Sequence, residues 1–309
     1  MFYFFTKRLL QMIPVAIGVI LAVFLMLHLI PGDPARIMAG EAASPQQLEQ
    51  MRINLGLHLP LHVQFINYFG NLLQGDMGNS IRTGRPVVLE IFENRFWITL
   101  QLAIAGTSLS ILLGLIIGIL SAAMKNKYSF VEKLLMLVSL VGLSMPNFWL
   151  GILLIQFFSV RLDWLPIIGW GTWQQMIMPM LTLGITGMAV IARMTSNSLT
   201  EVLGQDYIRT AYAKGVKSSI IVFRHALKNG LIPVVTIVGL QFGGLLGGAI
   251  ITESIFAING LGRLVVDAIR AQDFPLLQGA VLVYALVFVV VNFLVDISYR
   301  LINKRIELN

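Results

Sequence analysis

The chain has 309 residues, 57% of them hydrophobic and only 12% charged, with a formal net charge of +7. A soluble domain carries about 25% charged residues, so this composition points to lipid as the main surrounding medium. The sequence has no cysteine, which excludes disulfides, thiolate metal sites and cysteine nucleophiles. The basic residues sit at the ends of apolar runs and not on a polar domain. The positive charge is therefore read as membrane topology rather than as a nucleic-acid footprint.

Six apolar runs approach or exceed the roughly 20 residues that a membrane-spanning helix needs. They lie at about 9–30, 98–123, 134–160, 176–191, 231–251 and 276–295, the fourth being the shortest. The first follows Lys7 and Arg8, as a secretory signal would. Its apolar stretch exceeds the 7–15 residues of such signals, so it is expected to remain as a span.

The segment 31–97 is the one long polar excursion, and it reads as a compact helical cap. "SPQQ" makes Ser44 an N-cap, with Pro45 at the first helical position and Gln47 closing a capping box. That helix is expected to end near Gly56. A second is predicted over about 61–74, stopped by Gly75, with Leu61, Phe65, Phe69 and Leu72 forming one apolar stripe. Pro86 can start a third, leading into the second span. Two readings of the cap stand side by side: a surface loop folded on itself, or a docking surface for an outside partner. His28 reads as an interfacial residue. His58 and His62 have the spacing of a metal pair, but Pro60 between them spoils the helix that would align them.

Pro146 is predicted to kink the third span, and Pro179 the fourth. Polar residues within or at the edges of the spans, Ser144, Asn147, Gln156 and Gln241, are candidates for lining a pathway; each also suits a helix–helix hydrogen bond. The glycines of "GLQFGGLLGGA" (239–249) read as close helix contacts rather than as a nucleotide loop.

With the N-terminus inside, segments 1–8, 124–133, 192–230 and 296–309 hold 14 Lys/Arg and five Asp/Glu. The outer segments 31–97, 161–175 and 252–275 hold 8 and ten. The bias obeys the positive-inside rule and puts both termini in the cytosol. No Asp, Glu, Lys or Arg lies in the middle of any span. Ion-coupled carriers keep such residues at mid-membrane, so the energy for uphill transport is expected from another subunit. The chain has no phosphate-binding loop of its own: "AKGVKSS" lacks the upstream glycine and the preceding strand. A membrane-embedded enzyme would need clustered His, Asp and Glu, whereas the four histidines are scattered.

The stretch 206–230, "DYIRTAYAKGVKSSIIVFRHALKNG", carries five Lys/Arg and one Asp between apolar neighbours. A short helix is predicted over about 203–212, with Ile208, Ala211 and Tyr212 on one side, and Gly215 ends it. A second helix, capped by Ser218 or Ser219, would bury Ile220, Phe223, Leu227 and Leu231 and display Lys217, Arg224 and Lys228 on another face. An amphipathic helix on lipid headgroups would explain part of the charge. It would not explain the short helix and glycine ahead of it, which suit a socket in another protein.

"RTAYAKG" (209–215), continued by "HALKNGLIPV", resembles the coupling-loop motif of ABC importer permeases, in the R-T-A form of the peptide-transporter branch. "HLIPGDPAR", "GDMGNSIRTGRPV", "SMPNFWLG" and "ESIFAINGLGRLVVDAI" resemble the same branch, in order, over nearly the whole chain. Asn259 stands where the family pattern has proline. The chain thus resembles the first of two permease subunits of a dipeptide/oligopeptide/nickel-type ABC importer. The resemblance implies an all-α membrane protein of six transmembrane helices: an N-terminal helix (1–30), an extracytoplasmic helical insertion (31–97) and a five-helix type I permease core (98–309) with a cytoplasmic coupling loop (192–230). It implies a second homologous permease subunit, two ATP-binding subunits carrying ATP and Mg, an extracytoplasmic solute-binding protein, and a bacterial inner membrane. It gives Tyr207, Ile208, Arg209, Thr210, Ala211, Tyr212, Lys214 and Gly215 to ATPase coupling, and to this chain no catalysis, cofactor or metal. Its cargo would be di- or oligopeptides, with nickel chelates, glutathione or sugars as alternatives within the family. A stand-alone carrier or channel is the alternative from another class.

Overall fold

The computed structural model describes residues 2–29, 35–36, 43–125 and 128–302. Much of the "HLIPGDPAR" motif, Lys127 and the last residues, 303–309, lie outside the described residues. Helices account for nearly all regular structure, and the described residues contain one isolated β-bridge, Asn79 to Pro86. The chain divides into two compact units, Met1–Ile98 with Asn259–Val289, and Thr99–Ile258 with Val290–Asn309.

In the first unit, α1 is Phe2–Leu29, α2 Pro45–Asn54, α3 Leu61–Leu73 and α4 Val87–Phe92. Ser44 caps α2 as its sequence predicts, accepting from the Gln47 amide at 3.3 Å while the Gln47 side chain accepts from the Ser44 amide at 2.9 Å. α3 lies on the end of α1. The Phe24 ring meets Phe65 edge-on at 5.4 Å and Tyr68 at 5.8 Å, a separation and tilt that favour aromatic pairs. His28 Nε2 and Gln64 Oε1 lie 3.1 Å apart, and Gln64 Nε2 donates to the Leu59 carbonyl at 2.8 Å. The predicted stripe is shifted: Tyr68 joins Phe65 against Phe24 of α1, Phe69 and Leu72 are half-buried, and Leu61 is 53% exposed. Burial pushes the Tyr68 phenol well above its usual range. Burial favours the neutral phenol in the folded cap, so its contribution is complete below about pH 10, the unfolded value, and is lost as pH rises beyond it.

The unit's core joins α4 to α12 (Leu261–Arg270) and α13 (Phe274–Ile302) through Val87, Ile91, Leu261, Leu264, Ala268 and Ala280. Between α12 and α13, Asp273 is 1% exposed. Its carboxylate accepts from the Ser80 hydroxyl at 2.5 Å, the Arg82 amide at 3.2 Å and the Leu276 amide at 3.2 Å. One buried carboxylate therefore closes the 80–85 loop and caps a helix start, with three donors shared between its two oxygens.

The second unit is built on α8, Trp173–Leu203. α5 (Arg95–Met124) approaches it through small residues four apart. A Cβ at Gly106 would lie 2.9 Å from Leu183 Cβ, one at Gly114 2.7 Å from Ile191 Cβ, and one at Gly118 2.7 Å from the Ala192 carbonyl. Between them the Ser110 hydroxyl lies 2.9 Å from both the Gly106 and Gly184 carbonyls. Small residues allow this backbone approach in lipid, where packing and hydrogen bonds must do what hydrophobic burial does in water. The glycines of 239–249 behave differently: Gly239 meets Val295 of α13, whereas Gly244 and Gly247 have nothing within 4 Å. The close contact expected there belongs mostly to α5.

α6 (Ser129–Ser144) and α7 (Asn147–Arg161) also pack on α8, as does α11 (Ile232–Ile255). The axis turns by 101° between α6 and α7. Pro146 causes it, and more than a kink results: Met145 before it is extended, ψ 125°, and Pro146 begins a new helix. Pro179, in contrast, sits inside an unbroken α8. α8 is longer than the run 176–191 because Thr172 and Gln175 form a capping box ahead of it and its polar residues continue the helix to Leu203. Among the described residues four helices are long and apolar enough to cross a membrane, or up to six spans if each of two bent pairs counts as one.

Gly118→Ala should lower the stability of the purified chain by about 1–3 kcal/mol, the usual effect of overpacking. Gly247→Ala should leave it within about 0.5 kcal/mol. Thermal unfolding of both variants in detergent checks the contrast.

Candidate functional site

α8 ends at Leu203. Gly204 and Gln205 turn the chain into α9, Asp206–Ala213. Ile208 is fully buried among Ala122, Leu199, Ile221 and Ala226, and Ala211 and Val216 pack on the same cluster. These side chains clamp α9 to α5, α8 and the segment that follows. Ala211 therefore turns towards its own chain, while Tyr212, expected on the same side, is 49% exposed.

The other predicted coupling residues face outward. Tyr207 is 42% exposed, and its hydroxyl accepts from Asn229 Nδ2 at 3.0 Å. Arg209 pairs with Asp206 at 3.4 Å, both side chains well exposed; such a pair contributes about 0–1 kcal/mol, so Arg209 is available to another partner at little cost. The Thr210 hydroxyl donates to the Asp206 carbonyl at 3.0 Å, and Lys214 is exposed. Gly215 closes the helix at φ +73°. Its amide reaches the Tyr212 carbonyl at 2.9 Å and the Val216 amide reaches the Ala211 carbonyl at 3.2 Å. This is a Schellman cap, with Ala211 and Val216 as its hydrophobic contact. The left-handed backbone is why glycine stands there.

The next helix, α10 (Ser218–Gly230), differs from its predicted form. Lys217, and neither serine, occupies the cap position, with no side-chain cap bond. Residues Ile221–Ala226 are π-helical. The wider turn spaces the inward residues at Ile221, Ala226 and Gly230, all buried, and leaves Ile220 43% and Phe223 63% exposed. A 3.6-residue period cannot foresee this register. Lys217, Arg224 and Lys228 are exposed as expected.

The four pathway candidates separate into two pairs. Asn147 Oδ1 accepts from the Thr186 hydroxyl, and Gln241 lies beside the adjacent residue Gly187. Gln241 Oε1 is buried without a hydrogen-bond partner. Both thus border one level of α8. Ser144 donates to its own helix at Leu140, and Gln156 is exposed. Glu253 escaped the sequence reading: it is fully buried near the end of α11 and accepts from the Thr99 hydroxyl. Its position just past an apolar run made it look like a loop residue. Among the described residues no group of three or more His, Asp or Glu is placed to hold a metal ion.

A helical bundle centred on one long helix, with a short clamped helix beyond its end, is the core of a type I ABC importer permease. Solved structures show the same fold. The inward-facing MetNI methionine ABC transporter matches 68% of this chain and 94% of that one with a TM-score of 0.60 at 18% identity. An amino acid ABC transporter with histidines matches 68% and 92% with a TM-score of 0.52.

The chain belongs to the family of binding-protein-dependent transport system inner membrane components, whose model matches residues 111–308, with the family's N-terminal membrane component matching residues 1–103. It is 47% identical over 307 residues, 99% of each chain, to the glutathione transport system permease protein GsiC of Pectobacterium atrosepticum. The Escherichia coli K12 protein of that name is 46% identical over 301 residues, 97% of each. This is therefore a multi-pass transport subunit of an ABC importer and not an enzyme; ATP hydrolysis belongs to separate subunits.

Ile208→Ala should destabilise the seat of α9 by about 2–4 kcal/mol. Hydrogen exchange should then report faster opening of the amides of 206–213, with those of α8 above Leu199 unchanged.

Proposed function

We propose that this subunit, with a second homologous permease, forms the pathway for short peptides of the size of glutathione, delivered by a solute-binding protein and driven by two ATP-binding subunits. The observation that carries the cargo is near-complete alignment at 47% identity with permeases named for glutathione, a tripeptide. The positive-inside bias supports an orientation with both termini and the 192–230 loop in the cytosol.

The mechanism is mechanical. Tyr207, Arg209, Thr210, Tyr212 and Lys214 meet an ATP-binding subunit, and Gly215 sets the angle at which the helix leaves it. Ile208 and Ala211 face the other way and grip Leu199 near the end of α8 and Ala122 near the end of α5. Closure of the ATP-binding pair displaces α9, and the grip passes the displacement to α8. Because α5, α6, α7 and α11 pack on α8, they follow it as packed bodies. Asn147 and Gln241, at the Thr186–Gly187 level, meet the passing cargo. This chain binds no ATP or Mg itself.

In proteoliposomes holding the full transporter and its binding protein, Arg209→Glu should lower ATP-driven uptake of labelled glutathione at least tenfold, with assembly of the chain unchanged. Uptake by the isolated subunit, or labelling of Tyr212→Cys from outside intact cells, would overturn the mechanism. Uptake of a nickel chelate or a sugar in place of glutathione would overturn the cargo alone.

A further inference from the structure

Between α9 and α11 the chain exposes a face that neither the coupling residues nor the pathway candidates use. A regular helical period would bury Ile220 and Phe223; the π-helical turn of α10 instead leaves them 43% and 63% exposed. Beside them stand Lys217, Arg224 and Lys228, all exposed. No Asp or Glu occurs from residue 207 to residue 252. Among the described residues no ion pair joins these three cations to an acid. α10 therefore presents two large apolar side chains set among positive charge that nothing in the chain neutralises.

The geometry places this face at a bilayer surface. α11 has 24 residues, and crossing the hydrocarbon takes roughly 20, so α11 spans it without help. The axis turns by 56° between α10 and α11, and α10 thus leaves the end of the span obliquely, with its cations outside the hydrocarbon. The side chains then select the occupant. A free phosphate or an acidic solute would neutralise the cations and leave Phe223 in water. An anionic leaflet supplies both partners: phosphate oxygens for Lys and Arg, and the upper acyl chains for Phe and Ile, as in helices that lie in the interface.

We propose that α10 rests on anionic lipid headgroups, with Ile220 and Phe223 reaching the acyl boundary and Lys217, Arg224 and Lys228 on lipid phosphates. This contact steadies the seat of α9. Ile221 and Ala226, on the buried side of α10, help to form the pocket of Ile208, and Asn229 donates to Tyr207. Freed from the surface, α10 would let that pocket shift, and less of the displacement of α9 would reach α8. The lipid contact stands by itself; its effect on uptake rests on the coupling role proposed above.

The chain has no cysteine, so Phe223→Cys takes a single nitroxide label. In the assembled transporter, in nanodiscs of phosphatidylcholine and phosphatidylglycerol, that label should relax with lipid-dissolved oxygen and be shielded from a water-soluble nickel chelate. In proteoliposomes, phosphatidylglycerol should raise ATP-driven uptake at least threefold over phosphatidylcholine alone, less so at high salt. Replacing Lys217, Arg224 and Lys228 together by Gln should remove the stimulation and leave uptake in phosphatidylcholine unchanged. Arg224→Lys should keep most of it, because the phosphate contact needs charge more than shape. A label relaxed by the chelate and not by oxygen overturns the proposal. So does a label shielded from both, which would put a protein such as the ATP-binding subunit on this face. Equal uptake in the two lipids, or a triple variant that keeps the stimulation, overturns the effect on coupling. Failure of uptake by the parent in both lipids would count against the coupling role alone, since the label still decides the lipid contact.

Discussion

The second unit depends on how closely two helices can approach. Gly106, Ser110, Gly114 and Gly118 let α5 rest on the backbone of α8, so close that most added Cβ atoms would collide. In lipid this proximity is the source of cohesion: it maximises packing and lets Ser110 bond across the interface. It also makes α8 a fixed reference for its neighbours. A helix held this tightly moves with its partners or not at all, because packed interiors switch between discrete arrangements rather than deforming smoothly.

The short helix α9 joins that arrangement at one point. Ile208 fills a pocket shared by α5, α8 and α10, while Tyr207, Arg209, Tyr212 and Lys214 around it stand exposed. One helix thus has a buried side that reports to the bundle and an open side that can report to something else. The first unit adds polar ties to its apolar core. Asp273 gathers the 80–85 loop, and Gln64 ties α3 to its preceding loop and to His28.

Much of this was legible in the residues. Ser44-Pro45-x-Gln47 announces a helix start, Gly215 an end, and Pro146 a kink that the structure turns into a full break, because each signal is local and has a backbone cause. The Thr172–Gln175 box carries the same signal outside the apolar run, where hydropathy alone does not extend the helix. Gly106, Ser110, Gly114 and Gly118 stand at four-residue spacing, yet spacing alone cannot say which small residues meet a partner; in the denser set at 239–249, Gly239 meets Val295 while Gly244 and Gly247 meet nothing within 4 Å. Ala211 was legible as small but not as inward-facing. The burial of Glu253 depends on Thr99, 154 positions away, and no local pattern encodes that.

The wide turn in α10 has a consequence for evolution and for engineering. An i+5 repeat holds one more residue than an ordinary turn, so the helix beyond it is phased by an insertion. Deleting any single residue between Ile221 and Ala226 would let the segment relax to the common geometry and rotate everything downstream by about 100°. Gly230 would then leave Leu199, whose Cδ2 would lie 2.8 Å from an added Cβ, and a bulkier residue would arrive in its place. Length, more than identity, is thus the property of this segment on which the entry into α11 relies.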